Sequence, residues 1–292
     1  MALSTTPIDL NRGSSGITLP SVLANDVIAA AQEQSAVMRL CPQVTLPGAG
    51  LTIPVVLGDA AAAWTAESTE KYVGVPTVET KVMHPYKLTL IEAFSNELRR
   101  DMPALYDELR RRLPGAIAKK FDETVFYGTT PGTGFDVLAA APAITEVPGT
   151  KEIFECLVDA KESVATQGGY LTGWAVSPQG EAAIIGSTDT AGRPLFINGL
   201  GDGGVSRILG ADAVLSRAAY KASNGSIVAG DWSMARWGIV NDIQISMSDQ
   251  ATINDGTNTV NLWQRNMFAL RIEAELGFIC ADDDYFVRII TA

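Results

Sequence analysis

The chain has 292 residues, 47% hydrophobic and 19% charged, with a net charge of −11 at pH 7. Length allows about two domains with ample core, and the composition is that of a globular protein, not a disordered one. The acidic balance argues against a free-standing nucleic-acid binder, which is ordinarily basic, though it leaves room for a local basic face.

The opening MALSTTPIDLNRG has no apolar stretch of the signal-peptide kind. No run in the chain approaches the roughly 18 apolar residues of a membrane span, so no membrane partner is expected. Residues 1–20 carry Pro7, Gly13, Gly16 and Pro20 among many Ser and Thr, the composition of an extended arm. Ser21 is placed to cap a helix over 22–40, which Cys41-Pro42 ends and Leu46-Pro47-Gly48 follows with a turn. Leu51–Leu57 is β-rich but broken by Pro54, which suits an edge strand. Gly58–Glu79 keeps neither a helical nor a strand period. Val82, His84, Tyr86, Leu88, Leu90 and Phe94 then alternate with Lys81, Lys87 and Thr89, predicting one strand. Two strands bracketing such an irregular stretch make a long two-armed loop, and partner binding is one use for it.

Asp101–Gly128 predicts a long helix. Asp101 can cap it, Pro103 suits the first turn and Gly128 suits a left-handed stop. Leu105, Leu109, Leu113, Ile117, Phe121 and Val125 form one apolar stripe at a spacing of four. Asp107–Arg111, Glu108–Arg112 and Lys119–Glu123 are opposite-charge pairs at that spacing on the watery face, and Pro114-Gly115 should bend the rod. At about 1.5 Å per residue it would be roughly 37 Å long. A helix of that length needs something to lie along.

Lys151–Thr166 reads as a second helix and Gln179–Ile185 as a short third one. Around them run short β segments at Leu171–Val176, Ile208–Leu215, Ser226–Ala229 and Arg236–Met247. Helices and strands neither separate nor repeat as βαβ units, so the class is α+β. The clearest period of two comes last. Leu262, Phe268, Leu270, Ile272, Ala274, Leu276 and Phe278 fall on even positions, against Arg265, Arg271, Glu273 and Glu275 on odd ones. One long strand with a buried and a charged face is expected.

Chemistry is sparse. Gly199–Gly204 lacks the strand-to-helix setting of a dinucleotide loop, and the single His84 has no nucleophile elbow to serve. Cys41, Cys156 and Cys280 match no metal or redox spacing and read as reduced thiols. Asp282-Asp283-Asp284 reads as a solvated turn, with a hard cation as the other possibility. Arg110-Arg111-Arg112 and Lys119-Lys120 are interleaved with Asp107, Glu108, Asp122 and Glu123, which makes a solvated face the plain reading. Trp64, Trp174, Trp232, Trp237 and Trp263 read as core or interface anchors. No cofactor, metal or turnover site is expected, so the chain does not read as an enzyme.

The order of elements is itself a signature: arm, two-armed loop, spine helix, α+β domain, long final strand. With TIPVVLGDAAAAWTAESTEKYVGVP, the helix after Asp101-Met102-Pro103, Gly230-Asp231-Trp232 and RNMFALRIEAELGF, it resembles the major capsid proteins of tailed bacteriophages, the Hong Kong 97 type. The resemblance implies an N-terminal arm over 1–50 and an extended loop over 51–80. It implies a peripheral domain over 81–150 and 251–280, with the spine helix at 102–127, and an axial domain over 151–250 and 281–292. It further implies a structural subunit of an icosahedral virion shell, built from pentamers and hexamers around double-stranded DNA and assembled in a host bacterial cytoplasm. Portal and decoration proteins would be partners. Several relatives carry a removable scaffolding segment at the N-terminus, whereas this chain goes from Met1 straight into the arm. Either a separate scaffolding protein, the expected partner, guides assembly, or none is needed, or that segment lies outside this sequence.

By the same resemblance Trp64, Glu67, Lys71 and Tyr72 would meet a neighbouring subunit, and Arg111, Arg112 and Lys119 would face DNA. In the type member a loop Lys attacks an Asn of another subunit with help from a Glu, and Lys71, Asn266 and Glu273 occupy those positions here. Seven residues of strand would put Asn266 and Glu273 roughly 23 Å apart on opposite faces, so one chain could not supply both to one site. Ion pairing is the plain role for Glu273. Two other readings stay open: an encapsulin-like shell around cargo protein, and an α+β hydrolase or binding domain with a lid loop.

Overall fold

The computed structural model describes residues 35–58, 62–71, 73, 77–97, 103–188, 192–193, 195, 205–240, 243–254 and 259–291. The expected arm helix before residue 35, the Asp101 cap, Tyr72 and the Gly199–Gly204 loop lie outside them, as do the side chains of Leu105, Asp107, Glu108, Leu109 and Leu113. The class is α+β.

Helix α1 (Ala36–Leu40) ends at Cys41-Pro42, where proline disfavours helix in the residue before it. Strand β1 (Gln43–Thr45) follows. β2 (Leu51–Gly58) and β3 (Thr77–Met83) pair antiparallel from Leu51↔Met83 to Gly58↔Thr77, with a slip between Val56 and Gly58. The single strand expected across residues 82–94 is two, because β4 starts anew at Tyr86 (Tyr86–Ser95). The break is at His84-Pro85. Pro85 has no N–H for a ladder, and the His84 N–H turns to the Gly134 carbonyl at 2.8 Å.

The long helix α2 (Pro103–Tyr127) runs through Pro114 without ending. On its apolar stripe Ile117, Phe121 and Val125 are buried. Gly128 is not a left-handed stop, since it is absent from the positive-φ glycines. Glycine is needed there for closeness instead: a Cβ would stand 2.6 Å from Thr124 Cα.

Further along come β5 (Ala143–Thr145), α3 (Ile153–Thr166), β6 (Gly173–Val176) and α4 (Pro178–Ile185), whose N-cap Ser177 accepts from the Gly180 N–H. The run expected at Ile208–Leu215 divides into β7 (Arg207–Ile208) and β8 (Ala211–Leu215) about Leu209-Gly210, both at positive φ. The run expected at Arg236–Met247 likewise divides, after β9 (Ile227–Gly230), into β10 (Ala235–Ile239) and β11 (Gln244–Ser248). β12 (Thr252–Asn254) and β13 (Thr259–Asn261) form a hairpin. β14 (Met267–Cys280) is the expected long strand, and β15 (Phe286–Ile290) closes the chain.

The described chain falls into two compact units. One takes 87–121 and 241–276. In it β11 pairs antiparallel with β14, from Gln244↔Glu273 to Ser248↔Ala269, and β4 pairs β14 as well. Phe94 and Phe268 pack at 5.7 Å between ring centroids, and Val260, Leu262 and Ala269 form a smaller apolar cluster.

The other unit takes 36–86, 122–240 and 277–292. Its main sheet has the order β5-β15-β9-β6-β8-β7. Helix α3 lays Ile153, Leu157, Ala160 and Val164 on that sheet, a spacing of three and four that gives one buried face. The same core holds Trp174, whose indole N–H donates to the Ile208 carbonyl at 3.0 Å. The last turn of α2 is part of this unit too. Phe126 meets Trp232 edge-on at 6.3 Å, and Lys221 Nζ caps the helix by donating to the Tyr127 carbonyl at 2.8 Å. Beyond Leu276 the alternation of β14 fails, because Gly277–Cys280 is buried on both faces.

Candidate functional site

The end of the two-armed loop is shaped locally. Ser68 takes φ +65°, and the Thr69 N–H and hydroxyl both donate to the Ala66 carbonyl, at 3.4 and 2.7 Å. Glu67 and Lys71 are exposed on it, and Trp64 is wholly in water at 105% relative exposure. Trp174, Trp232 and Trp237 are all buried, so the chain treats Trp64 differently.

The root of that loop is firm. Met83, Leu46 and Ile279 form a buried cluster against which Leu51 and Ile53 of β2 pack. Lys81 of β3 donates to the Cys280 carbonyl at 3.0 Å and pairs with Asp136 at 3.5 Å.

On α2, Arg111, Arg112, Lys119 and Lys120 are exposed. Asp122 is not part of that solvated face. It is fully buried, and its carboxylate accepts from the Ala36 N–H at 2.8 Å, the Val37 N–H at 3.4 Å and Ser216 Oγ at 2.9 Å. It thereby caps α1, whose first N–H groups have no partner inside the helix. Sequence reasoning missed this residue because it sits in a run of charged residues. The only signal was its position one residue past Phe121 of the apolar stripe.

Asn266 lies just before β14, in a turn after β13, and holds φ +52°. Its backbone carbonyl accepts from the Asn96 N–H at 3.0 Å, and its side-chain oxygen accepts from Asn96 Nδ2 at 3.2 Å. Asn96, which sequence reading did not single out, thus orients the Asn266 carboxamide. Glu273 is half-buried within β14 and pairs along its own strand with Arg271 at 3.5 Å, while Glu275 pairs across to Lys87 at 3.2 Å.

The same turn presents Trp263, Gln264 and Arg265. Trp263 is 69% exposed although Leu262 beside it is buried. The turn is held by Gln264 N–H to Asn261 Oδ1 at 3.0 Å, Arg265 N–H to the Leu262 carbonyl at 3.3 Å and Met267 N–H to the same carbonyl at 2.9 Å.

A cavity of about 530 Å³ opens in the second unit near the root of the loop. Phe135, Val137 and Ala140 give it apolar walls. Glu79, Asp136, Asp282 and Asp283 bring carboxylates, with Lys81 as the one cation among its lining residues. Asp282 Oδ1 accepts from the Asp284 N–H at 3.2 Å, which makes the acidic triplet a turn between β14 and β15. Cys280 Sγ stands 3.2 Å from Asp283 Oδ1, and burial, reinforced by Asp136 and Asp283, pushes this thiol well above its ordinary range. All three cysteines are free and buried. Among the described residues no three His, Cys, Asp or Glu stand together as a metal site, and no helix is long and apolar enough to cross a membrane.

A family model described as the phage capsid family matches residues 15–289. The chain is 29% identical over 279 residues to a probable major capsid protein of Mycobacterium phage D29, covering 91% of this chain and 87% of that one. A solved structure from Mycobacterium phage Adephagia superposes with a TM-score of 0.74 at 21% identity, covering 100% of this chain and 99% of that one. Another, from Mycobacterium phage Cain, gives 0.73 at 21% identity, covering 89% and 90%.

Proposed function

The chain belongs to the phage capsid family, and from that premise we propose that it is a major capsid protein, a shell subunit of the virion. The observation that carries this is the extent of the match. Residues 15–289 take in the loop, the spine helix and both compact units, so the whole subunit is of one kind. The family is structural and not a class of enzymes. It favours neither an encapsulin-like compartment nor a hydrolase with a lid.

In finer terms, copies of the chain form pentamers and hexamers of an icosahedral head around double-stranded DNA, assembled in the host cytoplasm with separate scaffolding, portal and decoration proteins. Residues 51–80 are the loop that reaches a neighbour, 81–150 and 251–280 the peripheral domain, and 151–250 with 281–292 the axial domain. The bare Trp64 on an anchored hairpin supports the reach. Many overlapping contacts between copies stabilise a closed shell better than one large patch. Electron microscopy and gel filtration of the purified protein test this: megadalton shells are expected. A species near the 30.9 kDa monomer or its dimer under every assembly condition would end the reading.

The exposed Arg111, Arg112 and Lys119 support a weak, sequence-independent contact with packaged DNA. Replacing all three by Gln is expected to leave shells intact but to lower DNA retention, with the largest deficit at low salt and a shallower salt dependence than the parent's. Loss of shells in that variant would make these residues structural and remove the DNA role.

Covalent locking of the kind found in the family's type member is part of the same proposal. Lys71 Nζ, neutral, attacks Asn266 Cγ of another copy, and Glu273 of a further copy takes the amine proton. Glu273 passes that proton to the Asn266 amide nitrogen, whose bond to Cγ breaks so that it leaves as ammonia while the new amide C–N bond remains. Asn96 supports this by holding the carboxamide, and Lys71 is exposed and open to a second copy. Boiled mature shells on a denaturing gel should run as a ladder that Lys71→Arg abolishes. One band at monomer mass ends the idea.

A further inference from the structure

We propose that the Trp263–Arg265 turn of one copy docks into the cavity lined by Phe135, Val137 and Asp283 of a second copy. This deepens the shell reading and rests on it, since it names two faces through which copies meet. Three observations carry it.

The first is that the turn spends large side chains on water. Trp263 is 69% exposed, and Arg265 beside it makes no ion pair with any described residue. Trp and Arg are the residues that dominate interface energetics. The second is that the turn is already ordered. Backbone and Asn261 hydrogen bonds hold it, and Asn96 clasps Asn266 at its end. A preformed knob loses little freedom when it binds.

The third is complementarity. The cavity, at about 530 Å³, is open and has the volume to admit a large side chain. Its walls offer Phe135, Val137 and Ala140 to the ring. Its four carboxylates outnumber the single Lys81 ammonium, which leaves an excess of three negative charges. A guanidinium can take a carboxylate there through two parallel hydrogen bonds. Trp263 therefore seats on the apolar walls, and Arg265 pairs with Asp282 or Asp283 at the mouth. The contact is heterologous, knob to hole, which extends from copy to copy and closes into a shell when the geometry allows.

A charge exchange tests it on the full chain. Arg265→Asp is expected to abolish shells while leaving a soluble subunit with the parent's thermal melt. Asp283→Arg should do the same, and the two changes together should restore assembly. Trp263→Ala should also yield folded but unassembled subunits. A cysteine pair, Trp263→Cys with Val137→Cys in the same chain, should give a ladder of disulfide-linked oligomers on a non-reducing gel of oxidised shells. Shell formation by Arg265→Asp as efficient as the parent's, or failure of the double exchange to restore any shells, overturns this contact. If the unmutated chain forms no shells, it is the capsid reading that has failed.

Discussion

Asp122→Ala should lower the stability of the subunit by about 3–5 kcal/mol, because it strands three buried donors at once. The carboxylate lies at 0% exposure, and the groups it serves are the Ala36 and Val37 amides and the Ser216 hydroxyl. An alanine leaves a void without water's hydrogen bonds, so each donor suffers desolvation without return. Ser216→Ala removes one donor of the set and should cost only about 1 kcal/mol. Asp122→Asn keeps one acceptor oxygen and should fall between them. Thermal melting gives the ranking. Hydrogen exchange locates the cause, since the Ala36 and Val37 amides should exchange much faster in Asp122→Ala than in the parent. A melt within about 0.5 kcal/mol of the parent, the range of ordinary surface changes, would show that the cap is not structural. Helix α1 is the first described helix, and Asp122 fixes where it starts.

Trp232→Ala should be as costly, about 3–5 kcal/mol, by a different mechanism. Trp232 is 1% exposed and stands edge-on to Phe286 at 5.2 Å and to Phe126 at 6.3 Å. Its indole N–H donates to the Gly173 carbonyl at 2.9 Å. Removal opens a cavity between β15, β6 and the end of α2, and leaves that carbonyl without its donor. Gly173 records the closeness of the fit, since a Cβ there would come 3.1 Å from Trp232 Cδ1. Trp232→Phe keeps much of the volume and loses the hydrogen bond, so it should cost less than half as much. Urea denaturation should show a lower midpoint at an unchanged slope, the sign of lost native stability and not of a changed unfolded state. An unchanged midpoint for Trp232→Ala would mean that the aromatic cluster is not a centre of this core.

The acid that steadies Trp232 shows how position in sequence and role in space part company. Asp231 reads as one letter of a turn, Gly230-Asp231-Trp232. In the fold its carboxylate takes the Ser233 N–H at 3.1 Å, a local Asx contact, and also the Tyr170 N–H at 2.9 Å from far along the chain. Only the first of these is open to a reader of residues.

Periodicity and punctuation alone determined a good deal. The spacing of four from Ile117 to Val125, the helix expected over 151–166, which begins at Ile153, and the alternation from Leu270 to Leu276 each depend on neighbours within a turn or a pleat, and each stands in the structure. The loop between two strands and the order of elements, enough to mark the family, are of the same local kind. Tertiary structure decided the rest. The strand expected over 82–94 breaks because His84 finds Gly134 fifty residues on, and Gly128 serves a close approach instead of a left-handed turn. Asp122 passed for solvent-facing because its partners lie 86, 85 and 94 residues away in the chain. Trp64 and Trp263 could not be told from Trp174 and Trp232 by type. What separates them is whether other segments arrive to cover the ring, and burial is settled by the whole chain at once, since no residue carries its neighbours' positions in its own identity.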